Sequence, residues 1–86
     1  MDIAHTIIAL LQQRAPASSI CPSEVARALA EGDTAWRALM QPVRAAAAEL
    51  ARAGTIVITQ GDTQRDPDTV DVGPIRLRRG PGFPPS

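Results

Sequence analysis

Gly54-Thr55-Ile56-Val57-Ile58-Thr59-Gln60 is the stretch at which this chain changes period. Before it, apolar residues recur at steps of three and four; after Gly54 a β-branched run begins, with the composition of a strand. Gly54 suits the position just past a helix end, where a left-handed residue closes the last turn. A helix is therefore expected to end at about Ala53, with a strand following at once.

Working upstream, Trp36, Met40, Val43, Ala47 and Leu50 form a continuous inward stripe on a segment running from about Thr34 to Ala53. Pro42 interrupts it. An internal proline removes a hydrogen bond and clashes with the preceding turn, so the spacing predicts a short turn over Trp36–Leu39 and a main helix that starts or kinks near Gln41-Pro42. A better-marked start lies earlier. Cys21 suits an N-cap, Pro22 the first helical position, and Glu24 the third, where a carboxylate favours the positive helix end. Val25, Ala26 and Leu29 then face inward, and Gly32 ends this helix near Ala30 or Glu31. The first helix, Asp2 to Arg14, carries Ile3, Ile7, Leu10 and Leu11 on one face and stops before Pro16.

Downstream, Pro74-Ile75-Arg76-Leu77-Arg78 alternates Ile75 and Leu77 inward with Arg76 and Arg78 outward. The segment from Gly61 to Gly73 is rich in Asp, Thr, Gly and Pro and reads as a long hairpin loop. The expected fold is α+β and winged helix-turn-helix-like: three helices followed by a β-hairpin wing, over residues 1–79. Residues 80–86, Gly-Pro-Gly-Phe-Pro-Pro-Ser, are expected to be a disordered tail.

Composition bounds what such a domain does. The chain has 86 residues, enough for one domain, and only 2% of them are aromatic, so aliphatic residues and alanine must build the core. Nine acidic residues balance nine basic ones, all arginine; a protein living on phosphate contacts usually carries a basic excess. A single cysteine, Cys21, excludes an internal disulfide and a Cys-rich zinc site. The N-terminus lacks the pattern of a signal peptide, and no stretch approaches the roughly 20 apolar residues of a membrane span. A cytoplasmic protein with no membrane partner is expected.

Four motifs carry a family resemblance. Cys-Pro-Ser-Glu-Val-Ala-Arg at 21–27, Trp-Arg-Ala-Leu-Met-Gln-Pro-Val-Arg at 36–44, Asp-Pro-Asp-Thr at 66–69 and Gly-Pro-Ile-Arg-Leu at 73–77 resemble a family of small bacterial domains of unknown function. The resemblance covers nearly the whole chain short of the tail. It implies a winged-helix-like fold and a bacterial origin, and it brings no activity.

The candidate site is the outer face of the third helix, with Arg37, Gln41, Arg44 and Arg52, joined by Arg76, Arg78 and Arg79 of the second strand. Arg and Gln can read base edges, and the interspersed alanines would let the helix sit deep in a major groove of double-stranded DNA. A solvated polar face is the plainer reading of the same residues. The wing argues against DNA, because Asp62, Asp66, Asp68 and Asp71 face Arg65 alone, and carboxylates repel phosphate over a Debye length of roughly 8 Å. Their spacing does not fit a calcium loop; Asp66-Pro67-Asp68 is better explained as a turn former. Trp36 is expected to anchor the core, and Cys21 to cap its helix. No cofactor, metal or enzymatic site is signalled. Two readings stay open: a DNA-binding module, and a module of the same fold that binds a protein partner or a second copy of itself.

Overall fold

Asp2 opens the first helix by accepting a hydrogen bond from the His5 amide at 2.9 Å. It thereby satisfies a first-turn donor that the helix itself cannot. In the computed structural model, which describes residues 2–32, 35–68 and 73–85, α1 spans Ile3–Gln12 and turns Ile7 and Leu11 fully inward. A two-residue strand, β1 (Ser19–Ile20), leads into α2 (Pro22–Leu29), and then come α3 (Trp36–Arg52), β2 (Ile56–Gln60), β3 (Thr63–Arg65) and β4 (Arg76–Arg79). Thr34, Thr69, Asp71 and Ser86, to which the sequence assigned places in the third segment, the wing and the tail, lie outside the described residues.

The start of α2 follows its expected chemistry. Cys21 is the N-cap with an extended backbone, Pro22 is the first helical residue, and Glu24 reaches back to accept the Cys21 N–H at 2.8 Å. The end of α3 is equally regular. Gly54 takes φ +82°, the Thr55 amide donates to Leu50 O at 3.0 Å, and the Gly54 amide donates to Ala51 O at 3.1 Å. This paired arrangement satisfies two of the carbonyls a helix end leaves open.

Pro42 does not divide α3. No separate helix starts near Gln41: one helix runs through Trp36–Arg52 with the proline inside it. The lost N–H deprives the Ala38 carbonyl of its usual donor, but Ala38 and Pro42 are both exposed. Solvent-side carbonyls can tilt outward and bond water, so the helix tolerates there what it would not tolerate against the core.

The sheet is larger than a hairpin. It has four antiparallel strands in the order β1-β4-β2-β3. The expected loop between Gly61 and Gly73 contains β3, which returns beside β2 with Gln60 opposite Thr63 and Ile58 opposite Arg65. Gly61 has φ +62° at the first position of the two-residue turn, which a type II′ hairpin reserves for glycine. Thr63 and Gln64 are exposed and polar, so β3 has no apolar alternation to announce it. On the other side, β1 pairs with β4, Ser19 opposite Arg78 and Ile20 opposite Leu77.

The helices pack on one face of this sheet. Ile7, Leu11, Val25, Ala26, Val43 and Ala47 from the helices meet Ile20, Ile56, Ile58, Ile75 and Leu77 in a single core, and no polar side chain among the described residues is buried with them. No helix among the described residues is long and apolar enough to cross a membrane.

Residues 80–85 form no helix or strand, yet they are tied to the domain. The Gly80 amide donates to Thr55 O at 3.0 Å, the Gly82 amide donates to Gly54 O at 2.8 Å, and Phe83 packs against the core. Gly80 lies so close to the α3–β2 junction that a Cβ there would fall 2.5 Å from Gly54 O and 2.9 Å from the Ile56 carbonyl carbon. Both are backbone atoms and cannot swing away. Gly80→Ala is expected to destabilise the domain by about 1–3 kcal/mol, the usual cost of overpacking. Urea denaturation measures it, and an unchanged midpoint would mean that the segment after β4 is not docked.

Candidate nucleic-acid interface

The steps from Arg37 to Gln41, Arg44 and Arg52 put these residues on one flank of α3, away from buried Val43 and Ala47. The flank has two unlike halves. Toward its C-terminal end, Arg52 donates from Nε to Asp68 Oδ1 at 2.7 Å and also pairs with Glu49. Hydrogen bonding to Asp68 is the main reason the Arg52 guanidinium is held more firmly protonated than usual. Arg44 is half-buried and donates from Nη1 to Gly73 O at 3.2 Å. Both ends of the segment between β3 and β4 are thus fastened to α3.

The N-terminal half is open. Arg37 and Gln41 are exposed. The Arg37 guanidinium lies 5.0 Å from the centroid of the Trp36 ring, and Arg27 of α2 lies 4.5 Å from it. Neither arginine has a carboxylate partner among the described residues. Trp36 packs against the core, as expected of an anchor, but it is not enclosed by it. It is half-buried, with one side packed on the core and the other lining an open cavity of about 410 Å³ with Arg27, Ala30 and Gly32. The two cation–ring contacts explain why a tryptophan is stable at this rim. Arg27 is the residue the sequence reading left out. Its signal was its place on the last turn of α2, one short connection before Trp36.

The strand arginines do not join this flank. Arg76 and Arg78 alternate with buried Leu77, so they stand on the face of the sheet opposite the helices. Arg76 donates to Ser19 Oγ at 2.9 Å and to Ser19 O at 3.0 Å, and Arg78 donates to Ala17 O at 2.9 Å. Arg79 turns the other way. Its Nη2 donates to Leu11 O and Arg14 O, both at 3.0 Å, and its guanidinium stacks 4.7 Å from the Phe83 centroid. It supplies a positive donor to carbonyls at the end of α1, where the helix dipole favours one. The seven residues grouped by sequence thus divide among a helix flank, the outer face of the sheet and the underside of the sheet.

Cys21 is half-buried, with Sγ 2.9 Å from Ser23 Oγ. Its backbone does the more visible work, through Glu24. The Glu24 carboxyl is held below its ordinary 4.5, chiefly by the Cys21 amide and against partial burial, with help from Arg14 at 3.2 Å. Because the folded value is depressed, the stabilisation is present above pH 4.5 and is lost as pH falls through the folded pKa. Glu24→Gln is accordingly expected to melt below the wild type at pH 7, with the gap closing as the pH drops below that range. A gap that stays constant with pH would remove the ionic contribution from this cap.

A search of curated proteins finds no match to the chain. A family model described as a protein of unknown function, DUF3253, matches residues 1–80, which takes in the helices and strands of the described residues and every arginine of the candidate interface. The chain belongs to the DUF3253 family of proteins of unknown function.

Proposed function

We propose that this chain is a binding module of winged-helix type, not an enzyme, and that it docks on duplex nucleic acid through the N-terminal half of α3. The observation that carries the reading is the Arg27–Trp36–Arg37 cluster beside exposed Gln41, a positive group without a carboxylate partner among the described residues. It stands at the start of the second helix of a helix–turn–helix pair, which is where readers of that architecture put their base-edge and phosphate contacts. The sheet order supports the same reading. A short strand before α2 pairs with the last strand, which pairs in turn with the strand after α3, leaving the β2–β4 connection to act as the wing.

The chemistry follows from the residue types. Arg27 and Arg37 are suited to phosphate, and stacking on Trp36 holds their guanidinium planes in place before contact. Gln41, one turn further along, can offer its amide to a base edge, with adenine the natural match. Arg76 and Arg78 bond backbone carbonyls and a hydroxyl and form no ion pair among the described residues, although Arg76 lies within electrostatic reach of Glu24. They favour a polyanion at long range, from the far face of the sheet. The neutral overall charge implies a modest affinity that depends on salt.

One observation favours a protein partner instead. Ala38, Pro42 and Ala45 make an exposed, uncharged strip along α3 beside the arginine flank. Fluorescence anisotropy with a mixed-sequence duplex separates the readings. Binding at low salt should weaken as salt rises, and Arg37→Ala should flatten the log–log slope by about 0.9, one phosphate contact. No binding, or binding indifferent to salt, contradicts the nucleic-acid reading and leaves the uncharged strip as the candidate surface.

A further inference from the structure

The C-terminal half of the α3 flank already holds an anion. Arg52 donates to the Asp68 carboxylate at 2.7 Å, and that carboxylate belongs to the connection between β3 and β4 rather than to α3 itself. Asp68 is set in place by its own turn, its amide donating to Asp66 Oδ1 at 2.8 Å. On the same flank, two helical turns earlier, Arg44 donates to Gly73 O. A guanidinium binds a carboxylate and a phosphate with the same fork of donors. The Arg52 and Asp68 side chains are 44% and 64% exposed. A pair that open to water is only weakly held, as a displaceable contact must be.

We propose that Asp68 is an internal competitor for the phosphate groups of the partner. It occupies Arg52 in the free protein, so that the C-terminal half of α3 engages a polyanion only after the Asp68 carboxylate is displaced. This rests on the nucleic-acid reading of α3 and refines it: first contact falls to Arg27 and Arg37, and Arg52 joins afterwards. The consequence is selectivity. A short or weakly charged anion meets only the open half, whereas a duplex presenting a row of phosphates can displace Asp68 as well. Glu49 on α3 also faces Arg52, so removal of Asp68 frees the guanidinium in part.

The test compares the full chain with Asp68→Asn and with Asp62→Asn. The second makes the same change of charge in the β2–β3 turn, where the Asp62 carboxylate is exposed and has no ion-pair partner among the described residues. Duplex binding is followed by anisotropy across a salt series, and retention on immobilised heparin is measured alongside. Asp68→Asn is expected to bind the duplex about two- to fivefold more tightly, with a salt slope steeper by about 0.9, and to leave heparin at higher salt. Asp62→Asn should differ little from the wild type. Equal gains from the two variants would mean that net charge alone acts, and no gain from Asp68→Asn would mean that Arg52 is not masked; either result overturns the proposal. If no variant binds the duplex, the nucleic-acid reading fails, while heparin retention still decides the masking: later elution of Asp68→Asn alone upholds it, and identical elution overturns it.

Discussion

Leu77 lies between Ile20 of β1 and Ile58 of β2, and all three side chains are withdrawn from solvent. Most of the remaining structure depends on that row. β4 is the only strand that touches both β1 and β2 among the described residues, so it joins the part of the chain before α2 to the part after α3. Burying a leucine or isoleucine fully is worth about 1.5–3 kcal/mol each, and a core with two aromatic residues in the whole chain has few other large groups to draw on. The helices close over this row from one side, with Ile7, Leu11, Val25 and Val43 meeting it. A shift of β4 by one residue would send Leu77 to solvent and bring Arg76 or Arg78 into the core.

The same strand settles what its arginines are free to do. Arg76 and Arg78 sew β4 to the chain leading into and through β1, and Arg79 closes the end of α1. These are bonds to backbone carbonyls, and they fix the exit of the first helix and the start of β1 relative to the sheet. The arginines best placed to meet an outside partner are therefore those on the helices. There the structure makes a second division, between Arg27 and Arg37, stacked on Trp36 with no ion pair among the described residues, and Arg52, held by Asp68 and Glu49.

Much of this was legible in the sequence where a local rule acts alone. The Asp66-Pro67-Asp68 turn, the Cys21-Pro22-Ser23-Glu24 helix start and the Gly54 helix end each rest on chemistry within a few residues, and each lies where its spacing put it. What local rules could not carry was of three kinds. Pro42 leaves its lost bond on the exposed side of α3, where water can replace it, and which side that is depends on the face α3 turns to the core. β1 and β3 are too short or too polar to show a period, and they exist because β4 and β2 offer them an edge. The partners of the arginines are the third kind: Arg79 reaches Leu11 and Arg52 reaches Asp68 across long stretches of chain, so equal-looking residues received unequal roles.

β4 is the strand that closes the domain. Amide hydrogen exchange followed residue by residue tests this role most directly, because protection reports the free energy of opening each bond. The amides of β4 should exchange in the slowest class, together with those of β2 and the buried face of α3, and only global unfolding should release them. Exchange of β4 amides at the rate of an open loop, while α3 and β2 stay protected, would contradict the account.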